Sequence, residues 1–160
     1  MNFKTSIRRS SLILPLLVFS LTTISYASSG IDESLSTPEA IQQLEQRALS
    51  ASPRDQCFLY TELVHSMTEL AGRQMLAGDI DHATATLKRI DHYAHLIHAA
   101  LASNDKRLKN AELLMHHTVQ RLGDYMHAAS GEDQAALKTT LKQLDQVHSE
   151  ILTQVFAPGS

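Results

Sequence analysis

Residues 80–101 read IDHATATLKRIDHYAHLIHAAL, and this stretch carries the clearest structural signal in the chain. Its apolar residues recur at spacings of three and four, which is the period of one face of an α-helix. Gly78 and Asp79, directly before it, are a favoured helix terminator and a favoured N-cap. The stretch therefore predicts a long amphipathic helix with one buried stripe. The stripe comprises Ile80, Ala83, Leu87, Ile90, Ala94, Ile97 and Leu101.

The same period continues on both sides of this stretch. No proline occurs between Pro53 and Pro158, which favours helices because proline removes a helical hydrogen bond. The segments Ser36–Glu39 and Ser52–Asp55 each place a proline in a first helical turn. We expect a short helix to about Leu49, followed by long helices that end near Ala77, Leu101, Ala129 and Phe156. The fourth helix is expected to be capped within residues 103–105, and residues 130–133 separate it from the fifth.

These elements predict an all-α domain over residues 37–156. Short turns between long helices favour antiparallel neighbours, so we expect an antiparallel bundle of four long helices preceded by a short one. A weak internal repeat supports a duplicated hairpin, because Thr86–Asp91 (TLKRID) recurs as Thr140–Asp145 (TLKQLD). Gly72 and Gly123 also correspond, at a similar offset.

The segment from Leu70 to Ile90 resembles one tetratricopeptide hairpin. The residues that carry the resemblance are Leu70, Ala71, Ala77, Gly78, Asp79, Ala83, Leu87 and Ile90. Gln74 stands where that family has an aromatic residue, and His95 stands where it has the closing proline. The resemblance implies an alternative architecture of two stacked hairpins. The chain is also similar to uncharacterised exported bacterial helical proteins, which implies no activity.

Residues 1–27 are typical of an export signal. Lys4, Arg8 and Arg9 precede an apolar run, and Ser25-Tyr26-Ala27 places small residues where signal peptidase reads them. The apolar run is shorter than the ~20 residues that cross a bilayer. We therefore expect cleavage after Ala27, a flexible lead-in at residues 28–36, and a periplasmic or secreted protein without membrane insertion.

Composition narrows the classes of partner. Without residues 1–27 the chain has 11 basic and 17 acidic residues, a net charge of −6, which argues against nucleic-acid binding. Cys57 is the only cysteine, so an intramolecular disulfide is excluded and burial is the favoured interpretation. The sequence has neither a nucleophile-elbow motif nor a glycine-rich phosphate loop, so an enzyme is disfavoured.

Nine histidines lie in the helical region, and two of them are candidates for a site. His98 and His148 lie nearest to the apolar stripes and at similar heights along helices expected to be diagonal partners. Glu112, with Tyr60 nearby, is expected at the same height. Three alternatives follow: these side chains form a hydrogen-bonded layer, they form a site for zinc or copper with His98, His148 and Glu112 as ligands, or they do not converge. Glu62 and His65 are expected to face solvent.

The pattern favours an interaction or structural protein that self-associates or binds a protein partner. Leu96 and Leu113 lie outside the main stripes, so a monomer would expose them to water. The alternative function is transition-metal binding by the histidine layer, and no other cofactor is expected. A further hypothesis is an acid response, in which buried His98 and His148 lower stability when they are protonated.

Overall fold

The computed structural model describes residues 36–101, 107–129 and 131–157, without the side chain of Glu132. Every element in this part of the chain is an α-helix. The five helices are α1 (Pro38–Ser50), α2 (Pro53–Leu76), α3 (Ile80–Ala100), α4 (Leu108–Ala128) and α5 (Glu132–Val155). The all-α prediction is confirmed, with helix ends close to the expected ones. The predicted signal peptide, residues 28–35 of the lead-in and the cap at 103–105 lie outside the described residues.

Local signals explain where the helices begin and end. The Thr37 hydroxyl accepts a hydrogen bond from the Ala40 amide at 3.2 Å, so Thr37 is the N-cap of α1. Pro53 occupies the first turn of α2. Gly78 and Gly131 have φ values of 76° and 63°, in the left-handed region that glycine adopts without a steric penalty. These two glycines allow the tight α2–α3 and α4–α5 turns.

The long helices form two antiparallel hairpins, α2–α3 and α4–α5, which pack side by side. Helix α2 packs against α1, α3 and α4, and α5 packs against α3 and α4. Within the described residues, α3 and α4 make no contact, so these two consecutive helices lie diagonally opposite each other in the bundle. Helices α3 and α5 are therefore neighbours, which corrects the expected diagonal arrangement. The neighbour order is that of two stacked hairpins.

Polar contacts between the hairpins show that they stack in register. His65 contacts Thr118, Glu69 contacts Arg121, and the Gln143 side chain donates to the Asp91 carbonyl. These pairs are separated by 53, 52 and 52 residues, close to the offsets of the internal repeat. Helices α2 and α4 are therefore parallel, as are α3 and α5, and the structure agrees with a duplicated hairpin.

One hydrophobic core joins all five helices. Helix α2 is buried on nearly every side because it lies between α1, α3 and α4. Cys57 is fully buried, as expected for a small apolar side chain. None of the described helices is long and apolar enough to span a membrane. The fully buried large side chains include Ile41, Leu63, Met67, Ile90, Ile97, Met115, Leu122, Leu137, Leu144 and Ile151.

Candidate functional site

A surface groove lies over α2, between α1 and α4. We call it the α1–α4 groove; it has a volume of about 460 Å³ and is lined mainly by apolar surface. Leu44 and Ala40 form its α1 side, Ser66 lies on α2, and Leu114 forms its α4 side. A cleft of this size is within the range of known ligand and peptide sites. It exists because α1 and α4 both pack on α2 without contacting each other.

Polar residues border this apolar surface. Arg47 of α1 donates to Glu62 of α2 at 2.9 Å, which ties the two helices together at the groove edge. His65 is half-buried, and its Nδ1 atom lies 3.0 Å from the Thr118 hydroxyl of α4. Glu62 and His65 therefore line the groove and bridge helices, whereas the sequence predicted that they face open solvent.

A second depression of about 430 Å³ continues along the seam between α2 and α4. It shares His65 and Leu114 with the groove and extends past Glu69 to His117 and Arg121. The two depressions together form an open channel along one side of α2. Its lining changes from mainly apolar at the α1 end to charged at the other end.

At the charged end of this channel lies the Glu69 cluster, formed by Glu69, Arg121 and Tyr125. The Glu69 side chain is only 9% exposed and accepts two bonds from the Arg121 guanidinium, at 2.8 and 3.0 Å. The Tyr125 hydroxyl donates to Glu69 Oε2 at 2.8 Å. Such a bidentate pair with an extra donor provides the partners that a buried carboxylate requires.

The electrostatics of the cluster follow from these bonds. Burial alone would raise the pKa of Glu69, but the hydrogen bonds from Arg121 and Tyr125 and the guanidinium charge hold it below its usual value. Burial, together with the bond to Glu69, raises the pKa of Tyr125 to about 12. The cluster is therefore a fixed ion pair at neutral pH, and its carboxylate is engaged in joining α2 to α4.

Gly72 allows this cluster to form. A Cβ atom at position 72 would lie 2.2 Å from two carbons of the Tyr125 ring, so only glycine leaves room for the ring against α2. The ring brings the Tyr125 hydroxyl to Glu69, one turn earlier on α2. Sequence reasoning identified Gly72 as part of a repeat but did not identify the Glu69 cluster.

The predicted site residues His98, His148 and Glu112 do not converge. His148 Nε2 lies 3.1 Å from Glu112 Oε1, so these two meet as expected. The His98 side chain is 67% exposed and pairs instead with Glu150 of α5, at 2.6 Å. Tyr60 is buried and contacts the Tyr93 ring at a centroid distance of 5.8 Å. The expected four-residue layer is therefore wrong, because α3 and α5 are neighbours and meet along their outer edges.

The same geometry bears on the metal prediction. His148 is half-buried, with 19% of its side chain exposed, and its ring lies 5.5 Å from that of His116. No group of three or more His, Cys, Asp or Glu side chains among the described residues has an arrangement that would hold a metal ion. The predicted set of His98, His148 and Glu112 reduces to the pair His148–Glu112. Zinc or copper binding stays a prediction.

The apolar residues that suggested a partner surface have different environments. Leu96 is partly buried and packs against the core. Leu113 is 55% exposed on α4, as expected for a residue outside the stripe. Comparisons of the chain with protein-family models, curated proteins and solved structures give no match.

Proposed function

We propose that this protein is an exported interaction module that binds an amphipathic helix of a partner protein in the α1–α4 groove. The observation that carries this proposal is the groove itself, an open apolar channel between two helices that pack on α2 but not on each other. A helix that lies in a groove inserts apolar side chains at spacings of three and four and keeps its polar face in solvent.

The rim supports recognition of a polypeptide. Gln43 is exposed and lines the groove, and the Arg47–Glu62 pair places both a positive and a negative charge at its edge. Further along, His117 and Gln120 border the second depression. An apolar floor with a mixed polar rim is the usual composition of a protein interface. The buried carboxylate in this region, Glu69, is occupied by Arg121 and Tyr125, which favours binding over acid–base chemistry.

Site-specific photo-crosslinking tests the groove. A photoreactive side chain at Gln43 lies in the groove, whereas one at Gln42 lies on α1 outside its lining. Both positions are exposed glutamines, so the two variants form a matched pair. We expect a discrete adduct with a cellular protein from position 43 and none from position 42. No adduct at position 43, or equal adducts at both positions, would contradict the proposal.

Export is tested separately from binding. We expect cell fractionation to recover a mature protein outside the cytoplasm whose N-terminus is Ser28, because the segment before Ser28 has the order of a cleaved signal. An intact N-terminus on cytoplasmic protein would contradict export and leave the groove proposal standing.

A further inference from the structure

Helices α3 and α4 each bind a glutamate of the helix two places earlier in the chain through an arginine and a tyrosine. Helix α3 has Thr86, Arg89 and Tyr93, and α4 has Thr118, Arg121 and Tyr125, so both carry Thr-x-x-Arg-x-x-x-Tyr, the clamp motif. The Arg89 guanidinium and the Tyr93 hydroxyl both donate to Glu45 Oε1 of α1, the hydroxyl at 2.9 Å. On α2, Arg121 donates to both carboxylate oxygens of Glu69, and Tyr125 donates to one of them. The two clamp threonines both contact α2: Thr86 donates to Gln74, and Thr118 lies 3.0 Å from His65.

The helices that receive a clamp also share a pattern. A small buried residue follows the glutamate by three positions: Ala48 follows Glu45, and Gly72 follows Glu69. On α2 the receiving face consists of His65, Glu69 and Gly72, and α4 covers all three. The clamp tyrosine of α4 occupies the space that glycine leaves. A carboxylate and a small residue, three positions apart, thus mark where a clamp helix docks on α2.

Helix α4 repeats this receiving face in the second hairpin. His116, Gln120 and Gly123 correspond to His65, Glu69 and Gly72, all at one constant offset. In contrast to Gly72 on α2, Gly123 is open in the described structure, since a Cβ atom there would meet no atom within 4 Å. His116 and Gln120 are exposed; their side chains lie 3.1 Å apart, and the His116 ring lies 5.5 Å from that of His148 of α5. Leu113, which is 55% exposed, lies on the same side of α4, one turn before His116.

We propose that this second receiving face, made of Leu113, His116, Gln120 and Gly123, docks a helix of another protein that runs parallel to α4. The occupant is expected to place an aromatic ring over Gly123 and a side-chain hydrogen-bond donor against the Gln120 carbonyl oxygen, as Tyr125 and Arg121 do on α2. A second copy of this chain is disfavoured as the source, because both of its clamp motifs are engaged on Glu45 and Glu69. Leu113, His116 and Gly123 line neither the α1–α4 groove nor the second depression, and Gln120 is shared with the second depression.

The test measures binding of a labelled, helix-stabilised peptide to the mature protein by fluorescence anisotropy. The peptide has the sequence of residues 108–128, which contains the clamp motif, and the control peptide carries Arg121→Ala and Tyr125→Ala. We expect saturable binding of the first peptide and affinity weaker by about tenfold or more for the control, as for loss of interface hot spots. Equal binding of the two peptides would overturn the inference.

Protein variants locate the binding surface. Gly123→Leu fills the open space on α4, so we expect it to lower the affinity for the peptide by about tenfold or more. Gln120→Ala, at an exposed position, is expected to lower this affinity less. Each variant is first checked for an unchanged circular dichroism spectrum, and Leu113→Ala, at an exposed position that lines neither depression, replaces Gly123→Leu if that variant does not fold. Binding that neither folded variant changes would show that the peptide displaces α4 or binds elsewhere, which overturns the inference.

A groove variant separates this inference from the proposed function. Gln43→Trp obstructs the α1–α4 groove and is expected to leave peptide affinity unchanged, because Gln43 is on α1 and the second receiving face is on α4. Failure of the peptide experiment with intact crosslinking at position 43 would reject the second surface alone. Weakening by Gln43→Trp, but not by Gly123→Leu, would place the peptide in the groove and overturn the inference.

Discussion

Substitution of Gly72 by alanine tests the packing that joins the two hairpins. The new Cβ atom would lie 2.2 Å from the Tyr125 ring, which has to retreat until it reaches the 3.4 Å of ordinary contact. That movement strains the 2.8 Å bond from the Tyr125 hydroxyl to buried Glu69. Overpacking costs about 1–3 kcal/mol and a hydrogen bond to a charged group contributes about 1.5–3 kcal/mol, against a gain of about 1 kcal/mol in helix propensity. We expect a net destabilisation of about 2–4 kcal/mol.

Gly123→Ala is the matched control because it makes the same change at the repeat-equivalent position. The added methyl group meets open space there, so only helix propensity acts, and we expect a stabilisation of about 0.5–1 kcal/mol. Urea unfolding followed by circular dichroism measures both variants. With an m-value of about 2 kcal/mol/M, the midpoint of Gly72→Ala should fall by roughly 1–2 M, while that of Gly123→Ala rises slightly.

A double-mutant cycle identifies the cause of the loss. In a Tyr125→Ala background the obstructing ring is absent, so Gly72→Ala should no longer destabilise the protein. A midpoint for Gly72→Ala at or above that of the unmodified protein would refute the packing of Tyr125 against α2. A loss of the same size in both backgrounds would assign it to the backbone instead of the ring.

Two further predictions concern acid and metal. The hydrogen bond from His98 lowers the pKa of Glu150, and the Glu69 cluster holds the pKa of Glu69 low, so the unfolded chain takes up protons first. The contribution of these two carboxylates to stability is complete above the unfolded carboxyl pKa of ~4.3 and is lost as the pH falls through their pKa values in the folded protein. The urea concentration at the unfolding midpoint should therefore decrease when the pH is lowered below about 4.5. Glu69→Gln should reduce this drop, and an equal drop in that variant would contradict the assignment. If the pair His148–Glu112 contributes ligands to a zinc site, zinc should raise the melting temperature by more than ~4 °C, and His148→Ala should abolish that rise. An unchanged melting temperature would contradict the metal prediction.

The structure does not support His98 as one of the two buried histidines in the hypothesis of an acid response. That hypothesis required the imidazoles to be removed from water, but the His98 side chain is 67% exposed and lies against the Glu150 carboxylate. His148 is half-buried and also faces a carboxylate, Glu112. Carboxylates remain charged between about pH 7.5 and 5.5. A loss of stability in that range would therefore support a role of the histidines in an acid response.

Local patterns predicted the helices well because a helix is determined largely by residues within one or two turns. The expected end of the second helix, Ala77, is directly beside the observed Leu76, and Gly78 does terminate it. The position of His98 could not be deduced in this way. Periodicity relates a residue to the stripe of its own helix, whereas its partner depends on whether α3 and α4 are neighbours or lie diagonally opposite each other.

The Glu69 cluster was missed for a related reason. Charged residues beside an apolar stripe usually face solvent, and Glu69 is buried only because Arg121 and Tyr125 approach it from a distant part of the chain. The signal that was available is the clamp motif, since Thr86, Arg89 and Tyr93 recur as Thr118, Arg121 and Tyr125 at a constant offset. A repeat of residues that can pair with a carboxylate indicates a repeated helix contact more directly than a repeat of leucines, which any amphipathic helix contains.

The two repeat-equivalent glycines connect the stability of the protein to its proposed second surface. A glycine inside a helix costs roughly 0.5–1 kcal/mol relative to alanine, and at Gly72 the docked Tyr125 ring offsets this cost. At Gly123 the described structure contains nothing that offsets it. If a partner helix places an aromatic ring there, Gly123→Ala should make the isolated protein more stable and yet weaken peptide binding. A variant that gains stability and keeps full affinity would show that the open space on α4 has no role in docking.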